Sequence, residues 1–206
     1  MTVKREELTL AGMRSIALCL LASALIPSLT RAQDVPVFAI TPVQSSIKFN
    51  VKASVPIAGT FDKWNATLTF TSTDVTTGVL DVEIQAATVD TGSGIKDSKL
   101  KSSDFFDAAN NPLISFKSTK ISQTGPNTFE VDGNFTIRGV TRAEQLTLTV
   151  TGAGTGSGTI TGTLYFDRKD YGMNSGIPFI KIANRVEVNV ALQGTRVSGP
   201  PMVLKQ

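Results

Sequence analysis

From Ile47 to Leu192, apolar and polar residues alternate with a period of two, which places successive side chains on opposite faces of extended strands. Ile47, Phe49 and Val51 share one face; Lys48, Asn50 and Lys52 share the other. The pattern recurs at Leu68 and Phe70, at Leu80, Val82, Ile84 and Ala86, at Ile114 and Phe116, and at Phe129, Val131, Phe135 and Ile137. It returns at Leu146, Leu148 and Val150, at Ile160, Leu164 and Phe166, and finally at Val186, Val188, Val190 and Leu192. About eight strands result, and their outward positions are rich in Thr, which forms strands readily and tolerates water. An apolar and a wet face on every strand, with no helix long enough to cover a sheet, predicts an all-β antiparallel sandwich or closed barrel. Thr76-Thr77-Gly78, Thr124-Gly125-Pro126-Asn127 and Asp132-Gly133 carry turn chemistry, the last suiting a bulge inside a strand as well. Alternation stops between Thr91 and Asn111, where a short helix over residues 94–101 is expected to plug or lid one end of a barrel.

Lys4, Arg5 and Arg14 precede an apolar run, Ile16 to Leu29, that ends in Thr30-Arg31-Ala32. Charge, apolar stretch and small residue in that order predict a cleaved signal peptide over residues 1–32, with Met1 and Met13 both available as the start. The run has 14 residues, short of the roughly 20 that cross a hydrocarbon core. The expected product is therefore periplasmic or secreted and is not an integral membrane protein. Cys19, the only cysteine, follows Leu18 inside the run and reads as a discarded thiol rather than a lipidation site. Residues 33–206 form one expected domain, its core about 38–193, with 16 basic against 15 acidic residues. One net positive charge gives no footing for nucleic acid, which is held by neutralising several phosphates.

No histidine occurs anywhere in the chain, so a Ser-His-Asp arrangement and His-based zinc sites are excluded. Asp167-Arg168-Lys169-Asp170 reads as a solvated turn, Asp104 and Asp107 as turn caps, and Gly152 to Gly158 as a hairpin loop rather than a phosphate cradle. No catalytic residue and no metal ligand is assigned, and the chain is expected not to be an enzyme. Periodicity leaves the use of the apolar face open, because an eight-stranded barrel is either filled by its own side chains or holds one small guest. Elementary packing favours the filled interior.

Ser45 to Val51, Gly59-Thr60-Phe61, Ala87 to Thr91, Lys96-Asp97 with Leu100, Ser103 to Asp107, Pro112 to Ser118, Gly139-Val140-Thr141 and Asp170-Tyr171-Gly172 stand in an order and spacing that resemble the YceI-like family. The resemblance runs from about Phe38 to Leu192, and Asp104 to Asp107 beside Pro112 to Ser118 is its most specific part. It implies an exported bacterial protein with a lipocalin-like antiparallel eight-stranded barrel. Inside, such a barrel binds a polyisoprenoid lipid, a quinone tail or polyprenyl carrier, with no other cofactor. It also implies a membrane b-type cytochrome as a partner. Gln44, Lys99 and Arg138 stand where relatives commonly carry histidine, which removes any role for a titrating imidazole.

Parity then gives candidate ligand-lining residues: Phe49, Val51, Phe70, Val82, Ile84, Phe116, Phe135, Ile137, Leu148, Leu164, Phe166 and Val188. Lys99, Lys101 and Arg138 are the cations placed to meet a head group near the barrel mouth, if they are not simply solvated. Three functions compete: a lipid carrier or scavenger, a filled structural barrel serving a cytochrome, and an enzyme on such lipids using carboxylates alone. An interior plugged by the chain's own side chains favours the second, and a carboxylate inside the apolar pocket the third.

Overall fold

Among the described residues, eleven strands form one antiparallel sheet. They are β1 (Val37–Ile40), β2 (Ser46–Ala53), β3 (Ile57–Phe61), β4 (Trp64–Thr69), β5 (Val79–Gln85), β6 (Val89–Asp90), β7 (Leu113–Gln123), β8 (Thr128–Ile137), β9 (Val140–Thr151), β10 (Ser157–Asp167) and β11 (Ile182–Ser198). The α-helix α1 (Gly94–Lys101) lies between β6 and β7, over the residues where the break in alternation predicts it. This computed structural model describes residues 35–152, 155–177 and 179–204; the expected signal peptide, with Cys19, lies outside them.

The hydrogen-bonded order is β4-β5-β7-β8-β9-β10-β11-β2-β3-β6, with β1 alongside the end of β11. The end segments are joined through the chain to near neighbours of the opposite ends, β4 to β3 through Asp62-Lys63 and β6 to β5 through the 3-10 turn Ala86–Thr88. The sheet therefore curls into a barrel-like shell around a common interior.

The expected count of about eight strands is corrected to eleven, and the reason is backbone kinking. Asp62 and Lys63 are both exposed, so inward parity passes from odd residues, Ile57 and Phe61, to even ones, Ala66 and Leu68. A matching slip at Ala86–Thr88 passes it from Leu80, Val82 and Ile84 to Val89. Two long runs thus become four segments, and β1 adds one more at the rim. In β7 a bulge at Thr119, whose hydroxyl donates to the Asp132 carbonyl at 3.2 Å, moves inward parity from Phe116 to Ile121.

Sequence-adjacent strands are joined mostly by hairpins. Between β8 and β9 the turn is the two residues Arg138 and Gly139, both left-handed with φ of 55° and 72°. That geometry matches the twist of the flanking strands, yet an arginine there carries a steric cost that asparagine or glycine would not. Its side chain recovers part of it, with Nη1 donating to the Gly172 carbonyl at 2.7 Å and Nη2 to that of Ser103 at 2.8 Å.

The inward faces make one continuous core. Phe49, Phe61 and Phe106 contact one another with ring centroids 5.6–6.3 Å apart, and Phe135, Phe166 and Tyr171 form a second trio at 5.1–5.5 Å. Leu192 is 1 % exposed, whereas Val43 on the outer rim is 94 % exposed. Urea denaturation of Leu192→Ala is expected to show a loss of about 2–5 kcal/mol, against less than about 0.5 kcal/mol for Val43→Ala.

Candidate functional site

Two cavities lie inside the shell. The first, about 70 Å³, has a wholly apolar exposed wall, and α1 and the turn after it close its end through Leu100, Phe105 and Phe106. The second, about 100 Å³, sits among Phe38, Ile40, Leu68, Phe70 and Phe129, beneath the C-terminal residues Met202 and Leu204. Val203 holds that tail in place, its amide donating to the Thr73 carbonyl at 2.9 Å.

Of the candidate lining residues, Phe49, Val51, Ile84, Phe135, Ile137, Phe166 and Val188 surround the first cavity. Phe70 borders the second. Val82, Phe116, Leu148 and Leu164 border neither; they are buried in the core. Parity misses Leu100, Phe105, Phe106 and Met173, because residues in the lid and the connecting loops have no strand period to announce their direction.

The closed end is tied by polar groups outside the apolar wall. Lys99 pairs with Asp104, whose other oxygen accepts from the Ser175 hydroxyl at 3.0 Å. The Thr91 hydroxyl and amide both donate to Asp97 Oδ1, at 2.7 and 2.9 Å, binding the start of α1 to the strand before it. The hydrogen bond from Lys99, then that from Ser175, hold the Asp104 carboxyl below its ordinary range. The Thr91 hydroxyl does the same for Asp97 against the opposing effect of burial. Lys99 and Arg138 are thus engaged within the protein rather than turned free toward a head group.

Asp167 to Asp170 corrects the expectation of a solvated turn. Its residues do form a 3-10 turn, but Arg168 is 7 % exposed and Tyr171 fully buried. The Arg168 guanidinium donates to the carbonyls of Ala183 at 3.3 Å, Ser175 at 2.9 Å and Met173. Backbone oxygens, not a carboxylate, satisfy it, so its charge cross-braces the loop over the first cavity. Tyr171 donates to Glu144 at 2.7 Å, and burial, reinforced by that carboxylate, holds its phenol far above the ordinary value. Gly172 closes the turn at φ 74°, and a Cβ there would lie 2.6 Å from Arg138 Nη1. The resemblance motif Asp170-Tyr171-Gly172 therefore has a structural basis: an aromatic anchor followed by a residue with no room for a side chain.

Among the described residues no helix is long and apolar enough to cross a membrane, and no group of three or more His, Cys, Asp or Glu is placed to hold a metal ion.

The model of the YceI-like domain matches residues 38–194. A UPF0312 protein of Pseudomonas savastanoi is 27 % identical over 145 residues, covering 68 % of this chain and 74 % of the relative. Among solved structures, BcnA of Burkholderia cenocepacia superposes with a TM-score of 0.68 at 25 % identity, covering 75 % of this chain and 99 % of that one. A polyisoprenoid-binding domain from Saccharophagus degradans, implicated in plant cell wall breakdown, shares the fold with a TM-score of 0.62 at 15 % identity, over 78 % of this chain and 99 % of the other.

Both depressed carboxyl pKa values stabilise the lid above the ordinary carboxylate value, near pH 4, and that contribution is lost as pH falls through their lower folded values. Amide exchange at Phe105 and Phe106, corrected for intrinsic rate, is expected to stay constant from neutrality to about pH 4 and to rise below it. Asp104→Asn raises exchange at neutral pH and leaves only the acid step due to Asp97.

Proposed function

The chain belongs to the YceI-like family, and from that premise we propose that it binds a long apolar lipid of isoprenoid type, a quinone tail or polyprenyl carrier, inside the barrel and carries or sequesters it outside the cytoplasm. One observation carries the reading: the interior keeps two apolar voids in line with the shell. At about 24 cal/mol per Å³, voids of 70 and 100 Å³ cost on the order of 4 kcal/mol together. Total domain stabilities are only about 5–15 kcal/mol. A purely structural core would lose that cost by carrying one or two larger aliphatic side chains. A guest removes it by filling the space. Export is supported by the leader sequence of residues 1–32.

The voids are smaller than the roughly 300–1,000 Å³ of ordinary ligand pockets. A long chain therefore enters by displacing side chains, chiefly phenylalanines and the unbranched Met173 and Met202 at the two ends. Arg168 is the one charged residue in the lining of the first cavity, and the wall exposes no polar surface, so hydrocarbon burial supplies the affinity. No described acidic side chain lines either cavity, so the carboxylate-enzyme reading gains no support there.

Native mass spectrometry of the full chain from its own membranes, followed by delipidation and titration with isoprenoid alcohols, tests this. Expected are a bound isoprenoid mass, affinity rising about fourfold per added methylene group until the interior is full, and no dependence on salt. A homogeneous ligand-free mass with no uptake at any chain length would make the protein a structural barrel instead.

A further inference from the structure

The two cavities lie at different levels of the same strands. On β8, Phe129 borders the second cavity while Phe135 and Ile137 border the first, with Val131 and Gly133 pointing inward between them. On β10, Ile160 borders the second and Phe166 the first, with Gly162 and Leu164 between. Six residues of strand separate Phe129 from Phe135, about 20 Å of path. The intervening level forms a waist, and its side chains belong to neither cavity.

Glycine is a poor choice in a strand interior unless something must approach closely, and this waist has two that point inward. A Cβ on Gly133 would come within 2.4 Å of Cζ of Phe116, whose ring therefore rests where a side chain is missing. A Cβ on Gly162 would come within 2.3 Å of Cδ2 of Leu148 and 3.1 Å of Cγ2 of Val190. Both Phe116 and Leu148 are thus accommodated in notches in the wall rather than across the barrel axis. A Cβ on Gly133 would also lie 2.8 Å from the Lys117 carbonyl and one on Gly162 3.0 Å from that of Thr147, so a side chain in either notch displaces its occupant and presses on the neighbouring strand at the level where the two cavities are divided.

We propose that this waist sets the length of chain the barrel accepts: Gly133 and Gly162 are notches that receive Phe116 and Leu148, and with those two side chains held against the wall a long apolar chain threads from the lidded cavity into the one beneath the C-terminal tail. The inference rests on the reading of the interior as a site for an apolar chain, and adds which residues limit its capacity. Short chains fill the first cavity alone. Long chains need passage through the waist.

Farnesol, geranylgeraniol and solanesol, titrated against the delipidated full chain, are the probes. Gly133→Val and Gly162→Val are expected to weaken solanesol binding by more than about tenfold, the equivalent of two buried methylene groups, while farnesol binds within about twofold of the unaltered chain. The Phe116→Ala/Leu148→Ala double variant shifts the preference the other way, toward solanesol, and serves if either glycine variant fails to fold. Binding of solanesol by that double variant alone, with none by the unaltered chain, overturns the threading and makes the waist a closed barrier. Chain binding with the same length preference in every variant overturns the waist proposal and leaves the interior site standing. No binding of any chain by any folded variant overturns both.

Discussion

Hydrocarbon on every inner wall of a narrow shell can be kept from water in two ways: the protein's own side chains meet across the axis, or a guest lies along it. Every other feature of this molecule follows from how that requirement is divided. Between the two cavities Val131 and Leu164 are buried in the wall, and Phe116 and Leu148 sit in the notches at Gly133 and Gly162. Toward each end the walls part and leave space that own side chains do not fill.

The two ends are closed differently. At one, Leu100, Phe105 and Phe106 cover the cavity, and hydrogen bonds at its margin, Lys99 with Asp104, Ser175 with Asp104 and Thr91 with Asp97, hold the cover down. Arg138 and Arg168 extend this frame by donating to backbone carbonyls, which fixes loops without introducing a carboxylate near the apolar wall. At the other end the cover is a tail whose Met202 and Leu204 lie beyond the matched family domain. It is joined to the neighbouring turn through Val203, itself 62 % exposed. A polar clasp at one mouth and an apolar strap at the other suit a guest with one end to be shielded and one to be buried.

Much of this was legible in the residues. Alternation assigned the inward faces, and its loss located α1 near residues 94–101. The strand count was overtaken by kinks that alternation itself records: the adjacent exposed pair Asp62-Lys63 and the jump from Ala86 to Val89 mark changes of parity. Arg168 was not legible. A run of four charged residues carries no sign that one of them folds inward to meet three carbonyls, because those acceptors are backbone oxygens of the segment just after the turn and of the start of β11, which no side-chain pattern announces. The notches at Gly133 and Gly162 were equally hidden, since a glycine in a strand pattern does not say which neighbour uses its space.

The direct test of a guest within the shell is a crystal structure of the full chain loaded with an isoprenoid alcohol brominated at its far end. The account predicts anomalous scattering inside the barrel, at the level of Phe129 and Leu204, with continuous density passing Phe116. Anomalous peaks only on the outer surface, over an interior unchanged from the unloaded protein, would contradict it.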